Sequence, residues 1–320
     1  MLHKILVIGR LTMKIEKSNL SIVSGKYFEE VYNHNNYLIE FNENKSDYPL
    51  PVAVIYFSSS GIYYPNTIDA FKKAFIDTEN KFEFYKSDLK IKADKNIYIR
   101  DIAKQFYITG ISKQLPSMDA VIDFLKEQTE GYELYTVGSS AGAYAAALVG
   151  CILGAKLIYC FSGYFDLNVI DTKTWFYIDK FKNDSNKSKY FNLIKYIKGS
   201  SSYIIYFYPG QLPNDVEQSQ FIKNLDHVIS IKKDSNVHGL CCSRSAVKCL
   251  MKMESGEAIR RMKDCSVKYS NQEIKNSTLI KYLYKNKWFF YYTKDIIDTI
   301  LKQLNRILKK IYSGYIAKKS

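Results

Sequence analysis

Histidine is scarce in this chain, with four among 320 residues, and proline and cysteine number six each. Four histidines leave few candidates for any reaction that needs an imidazole base. The cysteines are Cys151, Cys160, Cys241, Cys242, Cys249 and Cys265, and no two form a CxxC pair. Cys151 and Cys160 fall in apolar stretches, where a thiol serves as a small core residue. The pattern argues against a disulfide framework and predicts a reducing compartment. No metal and no cofactor is expected.

Long apolar runs are missing as well, and no stretch suffices to span a bilayer. The N-terminal segment MLHKILVIGRLTMKIEK has a short apolar run with no small-residue cleavage site behind it. A first β-strand is expected there rather than a signal peptide. The expected location is cytoplasmic, with peripheral contact to the inner membrane as a further option. Acidic residues are outnumbered, 32 against 46 Lys and Arg, for a net charge of +14. More than half of that excess falls in about the last fifty residues. A basic tail points to phosphate-bearing partners: an anionic membrane surface, a nucleotide-linked cofactor or nucleic acid. No zinc-finger spacing or aromatic RNA-binding signature accompanies it, so nucleic acid is not expected.

What remains is an ordinary globular composition, 47% hydrophobic and 24% charged, enough for one large core. Extended segments are expected at Ile22–Val23 and Asn36–Phe41. Val52–Phe57 (VAVIYF) is a continuous apolar run of β-formers ended by SSSG, the pattern of a buried strand. Further strands are predicted at Asn96–Arg100, Leu134–Val137, Lys156–Phe161, Tyr203–Tyr208 and Val228–Ile231. Helices are predicted at Asn66–Phe75, at Met118–Gln128 behind a Ser117 cap, and at Ala141–Leu153, Val216–Leu225 and Ser243–Lys263. Strands alternating with helices predict an α/β fold, a mostly parallel central sheet with helices on both faces. Residues 171–200 are polar and lysine-rich, hold Trp175, Tyr177 and Phe181, and interrupt the alternation as a cap-like insertion. The division expected is one α/β domain over 1–265 and a basic helical tail over 266–320.

Gly138-Ser139-Ser140-Ala141-Gly142 is a GxSxG motif between an apolar strand and an Ala-rich helix. A nucleophile on so sharp a turn needs small neighbours two positions away on each side, which the glycines supply. The turn lifts the Ser140 hydroxyl out of the sheet and aims the helix N-terminus, with the Ala141 amide, at a developing oxyanion. Ser139 competes as nucleophile, but the glycine register selects Ser140. The alternative is a turn that merely packs or binds a phosphate.

A serine hydroxyl needs a base. His238 follows the last strand on a polar loop, whereas His227 precedes that strand, and His3 and His34 come too early. Asp215 follows Tyr203–Tyr208 and is the expected acid, with helix capping as its alternative role and Asp166 and Glu217 as rivals. A second oxyanion donor is expected on the turn Phe57-Ser58-Ser59-Ser60-Gly61, from the Ser59 amide or, next, that of Ser58. An ordinary strand-ending turn is the alternative.

With those residues in place, the chain resembles the α/β-hydrolase superfamily, in which the order Ser, Asp, His recurs. More narrowly, it resembles hydrolase-like proteins encoded in bacterial capsule and surface-polysaccharide clusters. The narrower likeness rests on Tyr56–Gly61 with Tyr64-Pro65-Asn66; Ile99-Arg100-Asp101 with Gln105-Phe106-Tyr107 and Gly110; Val137–Gly142; and Phe161-Ser162-Gly163 with Phe165-Asp166-Leu167. It covers roughly residues 50 to 245. The resemblance implies ester hydrolysis by a serine esterase or deacylase, or O-acyl transfer, on a small-molecule or glycan ester. A non-catalytic binding protein of a polysaccharide pathway is the remaining option. Arg100 and Asp101 are expected to form a local ion pair.

The tail places Ile297, Ile300, Leu301, Leu304, Leu308 and Ile311 on one face of a helix over Lys294–Ile311, behind the aromatic run Trp288–Tyr292. Such a basic amphipathic helix either rests on an anionic membrane or docks on its own domain. Docking is the expectation.

Overall fold

The computed structural model describes residues 25–42, 50–77, 81–170, 178–270 and 272–316. The expected strands at the N-terminus and at Ile22–Val23, and the aromatics Trp175 and Tyr177, lie outside these.

Among the described residues, seven strands form one sheet: β1 (Tyr37–Phe41), β2 (Val52–Phe57), β3 (Lys95–Ile99), β4 (Glu133–Ser139), β5 (Leu157–Phe161), β6 (Tyr203–Pro209) and β7 (Val228–Lys233). Their order is β1-β3-β2-β4-β5-β6-β7. β1 runs antiparallel to β3 at one edge, and every other pairing is parallel. The helices used below are α1 (Lys26–Tyr32), α2 (Ile68–Phe75), α3 (Met118–Thr129), α4 (Ala141–Leu153), α5 (Pro213–Gln220), α6 (Arg244–Met251), α7 (Ser255–Lys268), α8 (Asn276–Tyr284) and α9 (Trp288–Ile316).

Burial on both faces explains the apolar strands. All six residues of β2 are buried, and they alternate between two layers. Ile55 and Phe57 join a core with α3 and α4, while Val52, Val54 and Tyr56 join a second core with α6, α7 and α8. α3 starts where its cap directs, the Ser117 hydroxyl accepting from the Ala120 amide at 3.1 Å. α4 is buried along nearly its whole length, which its Ala-rich sequence permits because short side chains let it lie close to the sheet. α1 and α2 form a smaller cluster around Phe28, Phe71 and Tyr63.

The described part of the insertion packs beside the C-terminal end of β5 and then returns along α4. The Leu167 amide donates to Phe191 O and the Leu193 amide to Phe165 O, both at 2.8 Å. Tyr190, Phe191, Leu193 and Ile197 enter the α4 core.

Three expectations change. The helix expected over Ser243–Lys263 is two helices, because the Glu254 carboxylate caps a new start by accepting the Glu257 amide at 3.0 Å. The boundary expected at 265/266 does not separate the tail: Ile274, Leu279, Ile280 and Leu283 are buried in the second core, and Ile274 bridges to Lys233 of β7. Only beyond the first turns of α9 does the chain leave the domain. There the expected docking of the apolar face is not found, since Ile297, Ile300, Leu301, Leu304 and Leu308 are exposed.

Candidate active site

Ser140 stands between β4 and α4 with φ 55° and ψ −122°. A non-glycine residue held there is strained, and the surroundings enforce it. The Ser140 amide donates to Phe161 O of β5 at 2.8 Å. The flanking glycines answer to contact: a Cβ on Gly138 would lie 2.1 Å from Gly142 O, and one on Gly142 2.3 Å from Phe57 O. The elbow thus presses on the end of β2 as well as on itself.

The structure brings Ser140, His238 and Asp215 together. The Ser140 hydroxyl lies 2.8 Å from His238 Nε2, and His238 Nδ1 lies 3.0 Å from both carboxylate oxygens of Asp215. An ionised carboxylate only accepts, so Nδ1 carries the proton and Nε2 is free to accept the hydroxyl's. Asp215 is 5% exposed and the His238 side chain 32%, so the carboxylate is sheltered while the imidazole opens to solvent. Asp215 sits inside the first turn of α5, which begins at Pro213, so it is not that helix's cap. His238 is followed by Gly239 at φ 101°, and the Ser162 hydroxyl holds that loop by donating to Gly239 O at 2.9 Å.

The rivals go elsewhere. Asp166 accepts the Asn168 amide and side chain and the Asn192 side chain, tying the insertion to the sheet end. Glu217 is exposed. His227 Nε2 bonds to Ile197 O at 2.9 Å, His34 is exposed, and His3 lies outside the described residues.

The oxyanion expectation needs correction on one side. The Ala141 amide opens α4, ahead of the first turn bond, which comes from Ala143 to Ser140 O, so helix geometry leaves it without an intrahelical partner. The Ser58 amide, however, donates to Ile99 O at 2.9 Å, extending the β2–β3 ladder. The Ser59 amide donates to Glu83 Oε2 at 2.7 Å, and the Ser59 hydroxyl bonds to Oε1 at 2.8 Å. Burial holds the Glu83 carboxyl above its usual range against those bonds and the charges of Lys81 and Lys104. Ser60 is the neighbour left over: it opens the short turn Ser60–Ile62, and its hydroxyl is buried without a partner.

Arg100 and Asp101 turn to different partners. The Arg100 guanidinium bonds Asn36 Oδ1 at 2.8 Å and Lys81 O at 3.0 Å. Asp101 accepts the amides of Ala103, Gln105 and Tyr107, and burial raises it to about 6. Those bonds hold a loop in which Lys104, Phe106 and Tyr107 all have positive φ. The loop delivers two residues to the site's supports. Tyr107 donates its hydroxyl to Ser58 O at 2.7 Å, and Phe106 packs edge-on against Tyr144 and Tyr164. Tyr164 in turn lies 5.6 Å from the His238 ring. Tyr164 and Glu83 carried no signal in the sequence; the Arg100–Tyr107 stretch did, as part of the resemblance, but without a role. Among the described residues no group of three or more His, Cys, Asp or Glu is gathered that would hold a metal ion.

No protein-family model matches the chain, and no curated protein matches it. Among solved structures, it is similar to a protein of unknown function from Staphylococcus aureus at 14% identity and TM-score 0.41, over 72% of this chain and 92% of that one. A capsule O-acetyltransferase of Neisseria meningitidis serogroup A matches at 14% identity and TM-score 0.43, over 73% and 91%. An acylaminoacyl peptidase of Pyrococcus horikoshii matches at 12% identity and TM-score 0.39, over 75% and 42%. The sheet order, the elbow at Ser140 between β4 and α4, and the placement of Asp215 and His238 after β6 and β7 give this chain the α/β-hydrolase fold.

Proposed function

We propose that the protein is a serine esterase or deacylase that works through an acyl-enzyme on a glycan-related ester. The observation carrying this reading is the continuous hydrogen-bonded line from Asp215 through His238 to Ser140. In the reaction, the Ser140 oxygen attacks the ester carbonyl as its proton passes to His238 Nε2. Asp215 holds Nδ1–H and offsets the imidazolium charge. The tetrahedral oxyanion faces the Ala141 amide and, with the Ser58 and Ser59 amides engaged, the Ser60 amide or hydroxyl. Collapse expels the alkoxide, which takes the proton from Nε2 and leaves as the alcohol. Water then attacks the acyl-enzyme, losing a proton to His238, and the acid product and free Ser140 emerge. The glycan-related substrate class follows from the sequence resemblance.

Labelling with a fluorophosphonate probe tests the nucleophile: wild type should label and Ser140→Ala should not. Equal labelling of both would remove Ser140, and no labelling of either would favour a non-catalytic binding protein. Turnover of p-nitrophenyl acetate with and without sugar acceptors tests the second half-reaction. Release to water alone supports the esterase reading, and acetyl appearing on the sugar would replace it with O-acyl transfer.

A further inference from the structure

Helix α9 is fastened to the domain at its first turns. Tyr291 stacks on Tyr284 with ring centroids 3.7 Å apart, and Asp295 Oδ1 accepts the amide and hydroxyl of Ser245 at 3.2 and 2.6 Å. Tyr291 and Asp295, four residues apart, mark the side of the helix that meets the domain. The other side carries Phe289, Phe290, Ile297, Leu301, Leu304 and Leu308, each 49–65% exposed. Ile297, Leu301, Leu304 and Leu308 repeat at three- and four-residue spacing, and Phe290 stands seven residues before Ile297, so they form an apolar stripe larger than the scattered apolar residues normal on a protein surface. No described helix is long and apolar enough to cross a membrane.

Charge says what covers the stripe. Residues 276–320 hold ten Lys and Arg against two Asp, and Lys302, Arg306, Lys309 and Lys310 fall off the stripe in the helical repeat. A cleft of about 750 Å³ beside the root of the helix is lined by Arg260, Arg261, Lys268, Lys281, Lys285 and Trp288. Glu257 pairs with the two arginines. A second copy of this chain would bring two strongly cationic segments together, which like-charge repulsion opposes. An anionic surface with an apolar interior satisfies both the stripe and the charge, and Trp, Phe and Tyr at the helix start suit the interface of such a surface.

We propose that α9 is a docking surface for an anionic lipid bilayer, lying in its interface with the stripe at the acyl boundary and the basic residues among the headgroups. The inference is independent of the chemistry at Ser140. Docking also has a structural consequence for the site: Ser245, which Asp295 grips, lies seven residues beyond His238, so the loop bearing the base is held beside the membrane.

Co-sedimentation of the full chain with vesicles tests this. Phosphatidylcholine vesicles containing phosphatidylglycerol should pellet the protein, phosphatidylcholine alone should not, and high salt should release it. Replacing Lys302, Arg306, Lys309 and Lys310 together by Gln should lower the partition roughly a hundredfold or more. The triple variant Ile297→Ser, Leu304→Ser, Leu308→Ser should abolish binding while melting temperature and probe labelling stay at wild-type values. Equal binding to both vesicle types, or by wild type and both variants, overturns the proposal. So does an absence of vesicle binding, and a dimer in sedimentation equilibrium that the triple variant dissolves would then give the stripe to a second copy.

Discussion

Replacing Gly142 by alanine should disable the site far more than it destabilises the protein. A Cβ at residue 142 would sit 2.3 Å from Phe57 O, 2.9 Å from Phe57 C and 3.0 Å from Ser58 O. An ordinary contact needs about 1 Å more than the shortest of these. Phe57 cannot yield easily, because β2 pairs with β3 on one side and β4 on the other. The strain must therefore be taken up between the elbow and the Ser58–Ser60 turn, the two walls proposed to hold the oxyanion. Overpacking of this kind costs about 1–3 kcal/mol of stability, a fall of several degrees at most in Tm for a chain this long. A displacement near 1 Å at the reacting centre costs about a hundredfold in rate. Gly131→Ala is the control: a Cβ there meets nothing within 4 Å, and only its φ of +80° is strained. It should lose about 1 kcal/mol and keep full activity. The assay is kcat/KM for p-nitrophenyl acetate beside thermal melting of both variants. A Gly142→Ala protein with wild-type kcat/KM and Tm would refute the close packing of elbow against β2.

Ser140→Gly should melt higher than Ser140→Ala by the equivalent of about 1 kcal/mol, because glycine relieves the backbone at φ 55°; both should be inert to the probe, and equal melting of the two would contradict the strain. Asp215→Asn should lower kcat about a thousandfold or more by favouring the wrong tautomer of His238, with little change in Tm; a smaller loss would place the orienting role on another group. At pH 7, Asp101→Asn should cost about 1–3 kcal/mol, since an amide side chain leaves at least one of the three backbone donors unpaired. Asp101 also fixes a pH trend. Burial raises it to about 6 from about 3.9 in an unfolded chain, so the folded state holds the proton more tightly. Its contribution is full below the unfolded value and is lost as pH rises through the folded one. Urea unfolding should find the stability gap between wild type and Asp101→Asn narrowing by up to about 3 kcal/mol between roughly pH 4 and pH 7; a gap that widens over that range would contradict the burial.

Local sequence was informative wherever one short segment carries the whole constraint. The GxSxG glycines answer to contacts within a few residues and against the adjoining strand. Continuous apolar runs such as Val52–Phe57 mark strands buried on both faces because no alternation is possible there. Chain order alone then placed Asp215 and His238 after the last two strands, where the fold brings them to Ser140, Asp215 in the first turn of α5 and His238 on a loop. The break near Glu254 was less legible, since helical periodicity runs through it and only the cap divides it.

The residues therefore determine by themselves that a strand meets a helix at Ser140 with glycine two positions away on either side. They determine as well that the tail is amphipathic and cationic. Only the tertiary structure decided that Glu83 occupies the Ser59 amide, that the Arg100–Tyr107 loop braces His238 through Phe106 and Tyr164, and that the apolar stripe of α9 stays uncovered. The reason is physical. A tight strand-to-helix turn restricts its own residues, as Gly138 against Gly142 shows, whereas the partner of an amide or an apolar face, like the wall that Phe57 makes against Gly142, is whichever group the rest of the fold brings within reach.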